Sequence, residues 1–539
     1  MRSGSVLAVL IALLGLTFAA SAAAAVTETD AHGTVLINGN KVFPIALAKG
    51  PERGSTTSDG ADALDEVVDA GVNVFKVGPA SDPWLDADKQ DAVSWDQEAA
   101  ERGAYTWVNL ATLADATPQT PVKKARLREV IDLLKDDPAL AMWKGMDEPW
   151  WAKFLPPALQ YAYCVSTSRG DPAWCGGEPW EDSDHLWVTI QAPRGTADDL
   201  APYSAVTDVH GVDDYPVVYG DPDPNLHEVG EWTHTIASVT PNQAVWTTLE
   251  VCASGSSGPD PGQFVLPTLK QERYMAYDAI LNGARSLAFY GGNIDRCWTP
   301  SDEQHGWNWT FWNDVLKGLI QEINADSPIA PALVDPGSTK VLTSSDATTQ
   351  VISRDGANGD LWVIAASSGA GPTPVTISGL PSERTNGTVY TEERSVTAAG
   401  GAFTDTFDRW DVHVYRFPAP PPPPPPPPVT PPPPPAAAPP PPPRGPVPTA
   451  RDVTAPGTRI TGAPSRRTKL RRARFRFVST ERGSVFQCRL DRGRWRSCRS
   501  PKLYSRLRRG VHVFRVRARD AAGNADRTPA MRSWRIRGS

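Results

Sequence analysis

Two stretches of this 539-residue chain run through apolar residues and finish on carboxylic acids: Leu140-Ala-Met-Trp-Lys-Gly-Met-Asp-Glu-Pro149 and Ala244-Val-Trp-Thr-Thr-Leu-Glu250. Each reads as a buried strand whose last residues reach a loop. Two carboxyls facing one another across a sugar can split a glycosidic bond. One gives a proton to the leaving oxygen while the other meets the positive charge that develops at the anomeric carbon. No Cys/His spacing suggests a zinc site, so the expected chemistry uses neither metal nor cofactor.

Acids at strand ends become useful only if a scaffold gathers those ends. Residues 26–328 alternate strand-like and helix-like runs. The candidate strands are 43–48, 73–78, 105–110, 141–147, 186–191, 206–213, 244–250 and 286–291. Helical spacing of apolar residues is clearest at 61–70, 122–135, 157–166, 266–282 and 310–323, and the fifth helix is poorly marked. No Gly-rich phosphate loop follows the first strand, so eight βα repeats over about 300 residues predict a closed (β/α)8 barrel rather than an open sheet. In such a barrel the C-terminal strand ends form one mouth, which would collect Glu148 from strand four and Glu250 from strand seven.

The Asp147-Glu148-Pro149 end of strand four and the Glu250 end of strand seven resemble the retaining barrel glycosidases of clan A, the grouping with cellulase-like and β-galactosidase-like families. The likeness covers roughly residues 33–325, including a lead-in phrase, Val35-Leu-Ile-Asn-Gly-Asn-Lys-Val-Phe-Pro-Ile45. It implies that Glu148 is the general acid/base and Glu250 the nucleophile of a double displacement on a β-linked glycan. It also implies that Tyr215, in Asp213-Asp-Tyr-Pro216, hydrogen-bonds the nucleophile. The chain departs from the clan in having Asp147 where Asn usually contacts the sugar 2-hydroxyl. An ionised Asp147 can still accept a hydrogen bond there, and it would raise the proton affinity of Glu148 by like-charge repulsion.

Other residues join the expected site through position. Lys76 and Asn109 end strands two and three, and His210 lies on strand six, although a salt bridge, a cap or a buried structural histidine would serve equally. Fifteen of the nineteen Trp residues fall between Trp84 and Trp312, with Trp84, Trp150, Trp151, Trp174, Trp180, Trp298 and Trp307 in predicted βα loops. Flat C–H faces of sugars pack on aromatic rings, and Trp151 and Trp298 are the candidates for that contact. The six cysteines fall into local pairs, Cys164 with Cys175, Cys252 with Cys297 and Cys488 with Cys498, as expected of disulfides in an exported protein.

Export is the expectation from the N-terminus too. Arg2, an apolar run from Val6 to Phe18 and a small-residue tract ending near Ala25 have the layout of a signal peptide (1–25). No later segment offers the roughly 20 apolar residues of a membrane span. Beyond the barrel, short alternating strands at 350–353, 361–366, 375–377, 388–390 and 412–417 predict a β-sandwich over 329–417. The Pro/Ala tract 418–448 predicts a polyproline spacer rising about 3.1 Å per residue. Residues 449–539 predict an all-β module; the motif from Phe486 to Cys498, with Ala518-Arg-Asp-Ala-Ala-Gly-Asn524, resembles an immunoglobulin-like repeat of bacterial secreted proteins.

Charge divides the chain. From Arg451 onward there are 26 Lys/Arg against 5 Asp/Glu, whereas the remainder has 28 against 56. The basic end would be drawn to a polyanion such as an anionic cell-wall polymer, with nothing that specifies a nucleic acid. The expected whole is a secreted glycoside hydrolase acting on an oligo- or polysaccharide. The alternative is a non-catalytic carbohydrate-binding or cell-surface protein on the same scaffold.

Overall fold

The structure, a computed structural model, describes residues 24–79, 84–177, 179, 181–222, 224–252, 263–335, 340–356, 359–420 and 455–536, apart from 465, 466, 469, 470, 482, 492, 505, 506, 521 and 527. The expected signal peptide (but for residues 24 and 25), nearly all of the proline-rich spacer and Trp180 lie outside the described residues. The chain divides into two compact units, Met1–Pro422 and Pro423–Ser539.

The first unit is built around a closed barrel of eight parallel strands, paired in chain order. They are β1 (Ile45–Leu47), β2 (Val74–Val77), β3 (Tyr105–Asn109), β4 (Leu140–Asp147), β5 (Leu186–Gln191), β6 (Val209–Asp213), β7 (Ala244–Glu250) and β8 (Ser286–Tyr290). Strand alternation divides their residues between two cores. Ala46, Val74, Trp107, Met142, Val188, Ile190, Val209, Trp246 and Ala288 fill the lumen. Residues of the opposite parity, such as Phe75, Leu249, Leu287 and Phe289, pack under the surrounding helices. A three-stranded antiparallel sheet (Thr27–Thr29, Val35–Ile37, Asn40–Val42) covers the N-terminal end, with Val35 and Ile37 in the lumen cluster. The Thr27 hydroxyl donates to Ala141 O and accepts from Leu186 N, which ties that sheet to β4 and β5.

The helical layer contains more than the sequence pattern shows. Asp86–Arg102 is a 17-residue helix that buries little beyond Ala92, Asp96 and Ala99, and Glu228–Val239 has Gly230 and several β-branched residues in it. The fifth connection is only Ala197–Leu200 followed by a 3-10 turn at Ala201–Val206, which explains its weak signature. After the barrel, a three-stranded and a five-stranded antiparallel sheet enclose a core that includes Leu361, Val363, Phe403, Phe407, Tyr415 and Phe417. This sandwich is tied to the barrel helices by Arg273, which pairs with Glu322 and donates to Val412 O.

The second unit has a three-stranded sheet and a five-stranded sheet around Phe475, Phe477, Phe514, Val516 and Trp534. All six cysteines are bridged: Cys164–Cys175, Cys252–Cys297 and Cys488–Cys498. Among the described residues no helix is long and apolar enough to cross a membrane.

Candidate active site

The mouth of the barrel is set by what happens at the end of β4. Its ladder with β5 pairs Lys144 with Val188 and then Asp147 with Ile190, so one extra residue bulges out of β4. Without the bulge, period-two alternation would send Lys144 and Asp147 to opposite faces. With it, both share the lumen side with Val188 and Ile190. The Lys144 ammonium, 2% exposed, donates to the Asp147 carboxylate, which is 66% exposed. Glu148 follows with φ of 45°, a left-handed backbone that costs a non-glycine residue energy. Its N–H is fixed to Ile190 O at 2.8 Å. Strain at this one position, held by the end of β5, aims a half-buried carboxyl at the mouth.

Three carboxyls gather there, in unlike electrostatic settings. Burial raises the Asp147 carboxyl, but Lys144 and Lys76 outweigh it and keep the group below the usual aspartate range. Glu148 is pushed up by burial and then by the negative charge of Asp147. Asp213, at the end of β6, is pushed up to about 7, by burial first and then by Glu148 and Asp147. The Tyr215 hydroxyl donates to Asp213 Oδ2 at 3.2 Å, and its ring stacks on Tyr290 of β8 at 5.7 Å between centroids. Below them Trp107 and Trp246, 4.9 Å apart, fill the lumen as a floor. Lys76 sits over the Trp107 ring; burial and the nearby Lys144 bring it down to about 8.

Glu250 is in a different environment. Alternation along β7 places it on the lumen side with Trp246, yet its carboxyl turns to the segment after β6 and accepts from Val217 N at 2.8 Å. It is 0% exposed, and its Oε2 is without a partner. Burial raises it well above the glutamate range, and the charge that acts on it is Asp214. Glu272, buried on the helix Leu269–Leu281 with both oxygens unpartnered, is raised by burial and by Glu250. Asp214 is itself buried and pushed up to about 8. In the ladder of β7 with β8, Glu250 lies opposite Tyr290, whose hydroxyl is raised by burial first and then by Asp147, Asp213 and Glu148.

The remaining candidates divide between site and scaffold. Tyr215 is at the mouth, but its hydroxyl serves Asp213 and not Glu250, which corrects the expected contact. His210, expected on the substrate side, is out of phase with Asp213 and shares the helix-facing side of β6 with Val212. It is fully buried, approached at 3.3 Å by Nε2 of Gln191, whose Oε1 accepts from Trp150 N, and desolvation lowers it to about 3, so it is a neutral supporting residue beneath the loop after β4. The Asn109 amide is spent on backbone, donating to Pro79 O and accepting from Ala111 N, so it fastens the ends of β2 and β3 together. Trp151 is 51% exposed with the Arg194 guanidinium 4.1 Å from its ring centre. Trp298 is half-buried, its indole N–H bound to Gly292 O. Trp84 and Trp307, grouped with the loop aromatics, are buried packing residues. The Cys252–Cys297 bridge joins the segments that follow β7 and β8.

Asp213, Lys144, Tyr290 and Arg194 were not singled out from the sequence. Asp213 could have been, since it closes a predicted strand on an acid as Glu250 does. Lys144 could not, because its lumen position beside Asp147 depends on the bulge. Among the described residues no group of three or more His, Cys, Asp or Glu is arranged to hold a metal ion.

No family model and no curated protein matches the chain. Solved structures give distant likenesses over about 70% of it. An α-amylase from Geobacillus thermoleovorans with acarbose bound is 13% identical, with 70% of this chain and 98% of that one covered and a TM-score of 0.45. A family 5 glycoside hydrolase from Bacteroides vulgatus is 13% identical, with 73% and 93% covered and a TM-score of 0.46. An endoxylanase of glycoside hydrolase family 30 from Clostridium papyrosolvens is 10% identical, with 73% and 98% covered and a TM-score of 0.40. Likenesses this remote assign no residue; the strand order itself establishes the barrel.

Proposed function

We propose that this protein is a secreted glycoside hydrolase that acts on an oligo- or polysaccharide at the C-terminal mouth of its barrel, with Glu148 as general acid/base. One observation carries the reading: carboxyls of opposite protonation tendency converge on one rigid strand-end site. Asp147 is kept ionised by two lysines, while Glu148 and Asp213 are pushed towards the neutral form. Glycoside cleavage needs a proton donor and an anion at the same anomeric centre. Trp151, in the loop that follows Glu148, offers an exposed ring for a sugar face. Three disulfides and the signal-like N-terminus support export.

Purified full-length protein screened on a panel of polysaccharides and aryl glycosides should cleave at least one member, and Glu148→Gln should lower that turnover about a thousandfold. No cleavage of any member would remove the reading. The β-linked, retaining outcome suggested by the resemblance depends on Glu250 as nucleophile, and the burial of Glu250 does not favour it. Proton NMR of the first-released anomer decides between retention and inversion. A binding-only protein is the second reading, favoured by the sealing of Glu250 and the ion pair on Asp147. It predicts glycan affinity without cleavage.

For the C-terminal unit we propose adhesion to an anionic cell-wall polymer. Its five-stranded sheet places Arg489 directly opposite Arg515 and Gln487 opposite Arg517. Like charges set opposite one another cost stability unless something binds them. Arg489 and Arg517 both lie against Trp495, at 5.1 and 4.6 Å, and Arg517 also donates from Nε and Nη2 to Gln487 Oε1, so the ring and the amide hold positive charge in place on this face.

A further inference from the structure

We infer that the glycan cleaved at this mouth is acidic, its sugars bearing carboxylate or sulfate groups that Arg194 receives on one side and Lys49 and Lys76 on the other. The inference rests on the glycosidase reading and names the substrate class of the same site.

Cations gather at the mouth against the trend of the chain. Outside the basic C-terminal region acidic residues outnumber basic ones by 56 to 28. Yet the mouth holds Lys49, Lys76, Lys144 and Arg194, whose charges act on one another or on its acids. Of these, Lys144 is ion-paired to Asp147, whereas the side chains of the other three form no hydrogen bond or ion pair with any described residue. Lys76 is half-buried over the Trp107 ring, 5.8 Å from its centre, so its ammonium stands above the lumen floor with little water around it. Such a group costs stability until an anion reaches it.

Arg194 is placed by packing. Its segment is held against the loop after β4: Gly195 has φ of 89°, and a Cβ there would lie 3.2 Å from the Trp150 ring. The guanidinium lies over Trp151 at 4.1 Å. Stacking uses the face of the guanidinium and leaves its N–H donors at the edge, in the planar fork that matches an anionic oxygen pair. In a barrel closed in chain order β1 and β5 are diametrically opposite. Arg194, just after β5, thus stands across the mouth from Lys49, just after β1. Cations on both sides suit a glycan charged at more than one sugar.

Arg194 also bears on the proton donor. Burial and the Asp147 charge raise the Glu148 carboxyl, and the positive charge of Arg194 works against them. On a neutral sugar that opposition would weaken the general acid. An anionic group docked on Arg194 cancels it, so Glu148 gains proton affinity when an acidic substrate is bound.

The test screens full-length wild type on polyuronates, sulfated glycans and neutral glycans, and pairs whichever acidic glycan is cleaved with its carboxyl-reduced or desulfated counterpart. The acidic member should have a kcat/KM about a hundredfold above its neutral counterpart. A cleaved polyuronate identifies the recognised group as carboxylate, and a cleaved sulfated glycan identifies it as sulfate. Arg194→Met should reduce the preference about tenfold to a hundredfold, chiefly through KM, and Arg194→Lys should recover part of it. The alkaline limb of kcat should lie at higher pH for the acidic substrate than for its neutral counterpart, and the gap should shrink in Arg194→Met. A merely structural role for Arg194 would not move that gap. Cleavage confined to neutral glycans, or an acidic preference that survives Arg194→Met and Lys76→Met combined, overturns the inference and leaves the glycosidase reading intact. A wild type that cleaves nothing overturns both.

Discussion

Two clusters of acids lie at the same end of this barrel, and their surroundings differ in kind. The mouth cluster, Asp147, Glu148 and Asp213, is partly exposed, although Asp213 Oδ1 is buried without a partner; it has Lys144 and Lys76 among it and mixes an ionised group with two biased to neutrality. The second cluster, Glu250, Asp214 and Glu272, is sealed from solvent and has no lysine or arginine acting on it. Glu250 and Asp214 each leave one carboxyl oxygen unpartnered, and Glu272 leaves both. The physics of carboxyl burial separates their roles. An acid without a cation in an apolar setting gives up its charge, and with it the ability to meet a carbocation. An acid beside a buried ammonium keeps its charge while raising the proton affinity of its neighbours. Position at a strand end is therefore necessary for catalysis in this fold but does not choose between the two clusters.

The contrast can be broken in several ways. The largest effect should come from Asp147→Asn. The anion at the mouth is lost and the buried Lys144 is left without its partner, so kcat on a cleaved glycoside should fall about a hundredfold to ten-thousandfold, measured at constant substrate saturation. Retention of activity within tenfold would show that the ionised acid of the mouth is dispensable. Next, replacing Cys252 and Cys297 together by Ser should lower global stability by about 2–4 kcal/mol, read from denaturant unfolding. That bridge closes a 45-residue separation and fastens the chain just beyond Glu250.

Glu250 itself gives a test whose sign follows from linkage. Its folded carboxyl is held well above the unfolded value of about 4.3, so the folded state binds the proton more tightly. That contribution is fully present below the unfolded value and is lost as pH rises towards the folded one. Glu250→Gln, neutral at every pH, should therefore melt higher than wild type at pH 8, and the difference should vanish near pH 4. A lower melting temperature at pH 8 would mean that Glu250 is ionised and paired in the folded protein. The smallest expected effects are at the periphery. Lys76→Met should move the acidic limb of the rate profile upward as Asp147 loses part of its support, with kcat changed less than tenfold. Arg515→Ala with Arg517→Ala should elute from a polyuronate column at lower salt than wild type, with glycosidase activity unchanged.

Much of the scaffold was legible in the sequence, because its governing signal is periodic. Every predicted barrel strand overlaps an observed one, since buried parallel strands are short apolar runs bounded by turn residues. The helix Asp86–Arg102 was not legible: its buried face is mainly alanine, too small a stripe to stand out against its acids. At the site, the acid-ended β4 and Glu148 could be read directly. The rest depended on departures from period. The bulge before Asp147 brings it into the lumen beside Lys144, and a left-handed residue turns Glu148. Glu250, on the lumen side by strand parity, accepts from Val217 N in the segment after β6. Alternation specifies a face; it does not specify which cavity a long side chain enters, and His210 likewise fell on the outer face of a correctly placed strand.

The central claim is that glycoside cleavage takes place at the mouth of the barrel with Glu148 as its general acid/base. A crystal structure of Glu148→Gln with an uncut oligosaccharide tests it most directly. The account predicts the scissile glycosidic oxygen within hydrogen-bond reach of residue 148, over the Trp107–Trp246 floor. A sugar bound with its scissile bond out of reach of residue 148 would contradict it.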